Sequence, residues 1–190
     1  MKKTILAIAA ILLMASGASA QEESPHILFK GIPVTGLEED FAKQLSEKQY
    51  TYSKGLLTGP FAGYEVTLRT RKTEVSGVLY KVTALLLPSG WKQAKTNYII
   101  FKTNMSLKYG QPSAVTEKFT GAYHDGDGYE LKALAEDACR YRSEWSTPLG
   151  KITVEITGMN KMAAVAISYE DSANSRLNVQ EKTNLFLEDL

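Results

Sequence analysis

Apolar and polar residues alternate along several stretches of the chain. Tyr64, Val66 and Leu68 alternate with Glu65, Thr67, Arg69 and Arg71, the period-two pattern of a strand with one buried and one solvated face. The pattern returns in Cys139, Tyr141, Ser143 and Trp145 against Arg140, Arg142, Glu144 and Ser146, and again in Ile152, Val154 and Ile156 against Thr153, Glu155 and Thr157. Strands are also predicted over 78–87, 114–119 and 163–169. Residues 27–34 read as a short extended lead-in, and 56–63 as a strand end and turn, on account of Gly59-Pro60 and Gly63.

Other stretches carry helical spacing. Leu37, Phe41 and Leu45 predict a helix over 37–48, with Thr35-Gly36-Leu37-Glu38 as its capping box. Trp91, Ala94, Tyr98, Phe101, Met105 and Tyr109 predict a second helix, ended by Gly110 and Pro112. Residues 130–137 have helical composition, and 174–187 are expected to close the chain as an amphipathic helix. Tight turns at Pro148-Leu149-Gly150 and Gly158-Met159-Asn160 join neighbouring strands, which requires antiparallel pairing, because parallel pairs need long crossovers. The expected fold is therefore α+β: an antiparallel sheet with helices on its apolar face and a polar face turned to water. Helix followed by strands occurs twice, which suggests a diverged tandem repeat with halves at 27–88 and 89–171.

Phe29-Lys30-Gly31-Ile32-Pro33, Gly59-Pro60-Phe61-Ala62-Gly63-Tyr64 and Lys108-Tyr109-Gly110-Gln111-Pro112 resemble small secreted proteins of gut bacteria. That resemblance implies no activity. The helix-then-strands order resembles the beta-lactamase-inhibitor protein and the small outer-membrane assembly lipoproteins. That resemblance is architectural and implies no functional residue.

The beginning of the chain reads as an address. Met1-Lys2-Lys3, the apolar run 5–15 and Ala18-Ser19-Ala20 form a secretory signal peptide with its cut after Ala20. The remaining 170 residues of the 190 are expected to be one domain, exported to the periplasm or beyond. Losing the two leader lysines turns the formal net charge from +1 to −1. Gln21 stands where a lipoprotein signal needs cysteine, so no lipid anchor is expected. No later run is long enough to predict a membrane span. The charge balance of 22 basic and 21 acidic residues argues against nucleic acid as a partner. One cysteine cannot form an internal disulfide.

Candidate chemistry is sparse. Asp125 and Asp127 in His124-Asp125-Gly126-Asp127-Gly128 are a calcium candidate, but Glu130 stands where an EF-hand needs glycine. A surface turn is the preferred reading, and no metal or other cofactor is predicted. Cys139 alternates with Tyr141 and Trp145, which predicts a buried thiol rather than a nucleophile partnered by His124. Ser89-Gly90-Trp91-Lys92 matches S-x-x-K without its partner motifs; Ser89 is expected instead to cap the second helix. The polar sheet face is the stronger candidate. Arg69, Arg71, Arg140, Arg142 and Glu144, together with Glu65 and Glu155, are expected to project from it. Arginine favours interfaces and carboxylate recognition. Tyr50, Tyr52, Tyr123 and Tyr129 are expected in or beside loops, where they could add contact area. The function expected is a non-catalytic binding module for a protein or cell-envelope partner. The alternative is a secreted hydrolase that would need a facing carboxylate pair.

Overall fold

The computed structural model describes residues 25–53, 56–87, 89–159, 161–188 and 190. The signal-peptide reading falls on residues outside this set. The elements run β1 (Leu28–Phe29), β2 (Ile32–Pro33), α1 (Glu38–Ser46), β3 (Thr51–Ser53), β4 (Leu56–Phe61), β5 (Tyr64–Lys72) and β6 (Leu79–Leu86). Then follow α2 (Trp91–Tyr109), β7 (Ala114–Phe119), α3 (Glu130–Ala135), β8 (Cys139–Thr147), β9 (Gly150–Met159), β10 (Met162–Asp171) and α4 (Ser172–Glu188). The fold is α+β. Eight strands form one antiparallel sheet in the order β3-β4-β5-β6-β10-β9-β8-β7, and β1-β2 make a separate hairpin. Strands β3–β6 thus occupy one half and β7–β10 the other, meeting where β6 pairs with β10.

One face of this sheet builds the core. Val82, Ala84 and Leu86 of β6, Val165, Ile167 and Tyr169 of β10, and Ile152, Val154 and Ile156 of β9 are all buried in it. Helix α2 lies across β8, β9 and β10, with Tyr98, Phe101 and Met105 inward. An aromatic cluster ties the halves together: Phe61 stacks on Phe29 at 5.4 Å and on Phe101 at 6.0 Å, while Tyr169 meets Phe29 edge-on at 5.4 Å. Such pairs add stability beyond the area they bury.

Several expectations need correction. Residues 56–61 are a full strand; Gly59 is admitted because the Tyr50 ring lies against it, and a Cβ there would be 2.6 Å from that ring. Tyr50 is therefore a core residue, its hydroxyl donating to the Pro60 carbonyl at 2.9 Å. The capping box does not form. The helix begins at Glu38 with the apolar Leu37 as its N-cap, so Thr35 and Glu38 do not hold the box's positions, and the Glu38 carboxylate accepts from the Thr70 hydroxyl. Ser89 is likewise not a cap: Gly90 holds that position, and Ser89 pairs with Ala163 through both backbone groups. Helix α4 is present, but its buried residues are Asn174, Asn178 and Glu181, the reverse of ordinary amphipathicity.

Candidate functional site

The second face of the sheet is built by register. One row crosses all eight strands: Thr51, Thr58, Thr67, Leu85, Ala166, Glu155, Arg142 and Thr116. The next row runs Arg69, Thr83, Ser168, Thr153, Glu144 and Ala114, and a third runs Arg71, Lys81, Glu170, Lys151 and Ser146. Directly opposed residues share a face, so Arg69, Arg71, Arg142 and Glu144 stand on this one. Arg140 stands there too, two positions from Arg142. The centre is short. Ala164, Ala166 and Ser168 on β10 are buried between longer neighbours such as Leu85, Glu155 and Glu170. Threonine completes the floor, and Thr83 bonds Ser168 at 2.9 Å.

The charged residues divide into two groups. Arg142 is half-buried and paired with two carboxylates: its Nη1 donates to Glu155 at 2.6 Å and its Nη2 to Glu144 at 3.0 Å. Burial works against the Arg142 charge, but these two carboxylates outweigh it and hold its pKa above the usual value. Lys151 lies 3.9 Å from Glu144, and Lys81 lies 3.1 Å from Glu170. Arg142 and Glu144 are therefore engaged within the sheet. By contrast, Arg69, Arg71 and Arg140 are exposed, and none has an ion-pair partner among the described residues. Arg71 is opposite Lys81, and Arg140 is opposite Lys118. Like charges directly opposed are destabilising. Lys81 and Lys118 were not identified from sequence, because their roles depend on which strands pair and in what register. The two arginine groups are not one patch: four strand spacings, roughly 19 Å, separate β5 from β8.

Glu170 is not shifted in the direction of an acid. Glu144 and Glu170 both line a shallow depression of about 410 Å³ with Lys151 between them. Burial pushes the Glu170 carboxyl up, but Lys81 and Lys151 bring it below the usual range. A general acid needs the opposite shift.

The acidic loop is tied to α2 by Asp125 and closed on itself by Asp127. Asp125 accepts from the Trp91 indole at 2.9 Å and pairs with Lys95. Asp127 accepts from the backbone N–H groups of His124 and Tyr129 at 2.9 and 2.7 Å. Both carboxylates hold the loop, and no cluster of three or more potential metal ligands occurs among the described residues. His124 is exposed and lies 3.5 Å from Asp127, whereas Cys139 is buried under the opposite face. Burial, then the nearby Asp125 and Glu130 charges, push the Cys139 thiol up to about 11. Of the four tyrosines expected at loops, Tyr52 and Tyr129 are exposed, and Tyr123 donates to Glu136 at 2.7 Å. No helix among the described residues is long and apolar enough to cross a membrane.

Comparison with protein-family models, curated proteins and solved structures finds no match.

Proposed function

We propose that the protein is an exported, non-catalytic binding module that contacts a protein or cell-envelope partner through the polar face of its sheet. The observation that carries this reading is the set of unpaired, exposed arginines, Arg69, Arg71 and Arg140, on a face where Arg142, Lys81 and Lys151 are neutralised by Glu144, Glu155 and Glu170. Placing Arg71 beside Lys81 and Arg140 beside Lys118 costs stability in the isolated chain. A partner bearing carboxylates or other anions at two points, four strand spacings apart across the sheet and six residues apart along it, roughly 28 Å in all, would relieve both sites. Export is read from the leader-like first twenty residues and is part of the proposal.

The test is capture by residues 21–190 from the cell envelope and culture medium, with the wild-type chain and with an Arg69→Ala, Arg71→Ala, Arg140→Ala variant. The expected result is partner capture that falls about tenfold or more in the variant, with the unfolding midpoint unchanged or raised. Capture that survives all three substitutions removes the sheet face as the contact surface.

A further inference from the structure

Helix α4 is inverted. Its buried residues, Asn174, Asn178 and Glu181, follow i, i+4, i+7 spacing. Glu181 accepts from the backbone N–H of Val75 and Ser76 in the β5–β6 turn, and Asn174 donates to the carbonyls of Val34 and Leu79. Five residues on, about 140° around the helix, the same spacing places Val179, Thr183 and Phe186 outward. Val179 is 63% exposed, Phe186 65% and the adjoining Leu187 60%. The exposed cations Arg176 and Lys182 flank this stripe. A helix docked through polar groups, with its apolar stripe left outside, presents a contact surface.

The same molecule carries a groove of matching character. Between α1 and strands β4 and β5 lies a cleft of about 460 Å³ with Phe41, Leu57 and Leu68 at its base. Tyr52 and Leu56, 71% and 50% exposed, form part of its wall. Glu38 and Glu39 line the α1 side, and β5 contributes Leu68, Arg69 and Thr70 to the lining. Glu39 is exposed and without an ion-pair partner among the described residues. Groove and helix both lie beside the end of β5. Glu38 bonds Thr70 near the end of β5, and the turn that follows β5 is the one that holds Glu181.

From this pairing of an apolar stripe flanked by Arg176 and Lys182 with an apolar groove flanked by Glu38 and Glu39, we infer that the groove receives α4 of a second copy of this chain. Phe186 and Leu187 of one copy fill the groove of the other. Arg176 and Lys182 approach its glutamates. Made reciprocally, the exchange closes as a two-fold dimer.

Sedimentation velocity of the purified protein over about 1–100 µM tests this, because side-chain anchors of this kind give dimers in the micromolar range. Dimers are expected, with the dissociation constant raised about tenfold or more by Phe186→Asp. Glu39→Lys should weaken the dimer, and adding Lys182→Glu to that chain should restore it, since each new charge meets its opposite across the interface. Phe186, Glu39 and Lys182 are exposed, and circular dichroism confirms that the variants fold. As a second measurement, mixing Leu56→Cys chains with Leu187→Cys chains should yield a disulfide-linked heterodimer. A monomer throughout the concentration range overturns the inference, as does a dimer indifferent to Phe186→Asp and Glu39→Lys. Cosedimentation of a monomeric protein with anionic phospholipid vesicles overturns it in favour of a membrane surface.

Discussion

The fully buried Asp171 carboxylate accepts the backbone N–H of Ile27 at 3.0 Å, joining the beginning of the described chain to the last strand. Its other oxygen accepts the Asn174 N–H at 2.9 Å, so Asp171 is also the N-cap of α4, supplying the bond that an exposed helix end otherwise lacks. His26 adds a third contact, with its Nδ1 3.2 Å from the carboxylate. One residue therefore terminates β10, starts α4 and pins the β1–β2 hairpin. Asp171→Ala is expected to lower unfolding free energy by about 2–4 kcal/mol, the sum of a lost cap and a buried N–H left without an acceptor. Urea denaturation measures it. Asp171→Asn keeps only one of the two acceptor oxygens and turns an NH2 group toward the other N–H, so it should also destabilise, by a comparable amount. A negligible loss for both substitutions would count against the hydrogen-bonding account.

Gly150 opens β9 in register with Asp171. A Cβ on Gly150 would stand 2.1 Å from the Glu170 carbonyl oxygen. That oxygen is backbone in the centre of the sheet, so the strand itself must move to admit a methyl group. Gly150→Ala is expected to cost about 2 kcal/mol or more, in the range of strained or overpacked core substitutions. Gly90→Ala serves as the control, since a Cβ there meets nothing within 4 Å. Thermal unfolding of the two variants, side by side, should show a large drop for the first and little change for the second.

The parts of the fold legible in the sequence are those where one rule acts alone. Strands β5, β8 and β9 have one wet and one dry face, so alternation placed Arg69, Arg71, Arg140 and Arg142 on the polar side. Helix α2 has unbroken spacing and a glycine stop, and its limits are as expected. Where a distant contact supplies the reason, local pattern misleads. Gly59-Pro60 resembles a turn, but it is strand because Tyr50 fills the space a side chain would take. Thr35 and Glu38 spell a capping box, but the helix starts only at Glu38, whose carboxylate bonds Thr70 on β5. Helix α4 shows apolar residues at helical spacing, yet polar atoms in the β5–β6 turn and the carbonyls of Val34 and Leu79 decide which side faces inward. The pairing state of each arginine was likewise hidden, because Glu155 meets Arg142 only through the β8–β9 register.

The Asp125 contacts make stability depend on pH in a fixed direction. Its hydrogen bond to Lys95, then that to the Trp91 indole, hold the Asp125 carboxyl below the ordinary value of 3.8. Between the folded and unfolded values the unfolded chain binds more protons, so stability rises with pH there. The contribution is complete above the unfolded value and disappears as pH falls through the folded one. Urea midpoints measured between about pH 2 and 6 should therefore fall less steeply for Asp125→Asn than for wild type. Above that window the difference between the two proteins should be constant. A difference that grows towards neutral pH would contradict the assignment.

Cys139 provides a reactivity prediction that separates a core thiol from a nucleophile. It begins β8 on the helix-covered face, 5% exposed, and Phe119 is opposite it in register. The thiolate is the reacting species. Burial, with Asp125 and Glu130 nearby, keeps the Cys139 thiol protonated up to about 11. At pH 8 only about one molecule in a thousand then carries the thiolate, and that fraction is itself enclosed. An aromatic disulfide reagent, read by the coloured thiolate it releases, should thus report almost no reaction with the native protein over about an hour, and one full equivalent after unfolding in guanidinium. Cys139→Ala should leave partner capture unchanged while costing roughly 1 kcal/mol through the small cavity left against Phe119. Rapid modification of the native protein at pH 8 would show instead that the thiol is accessible and activated.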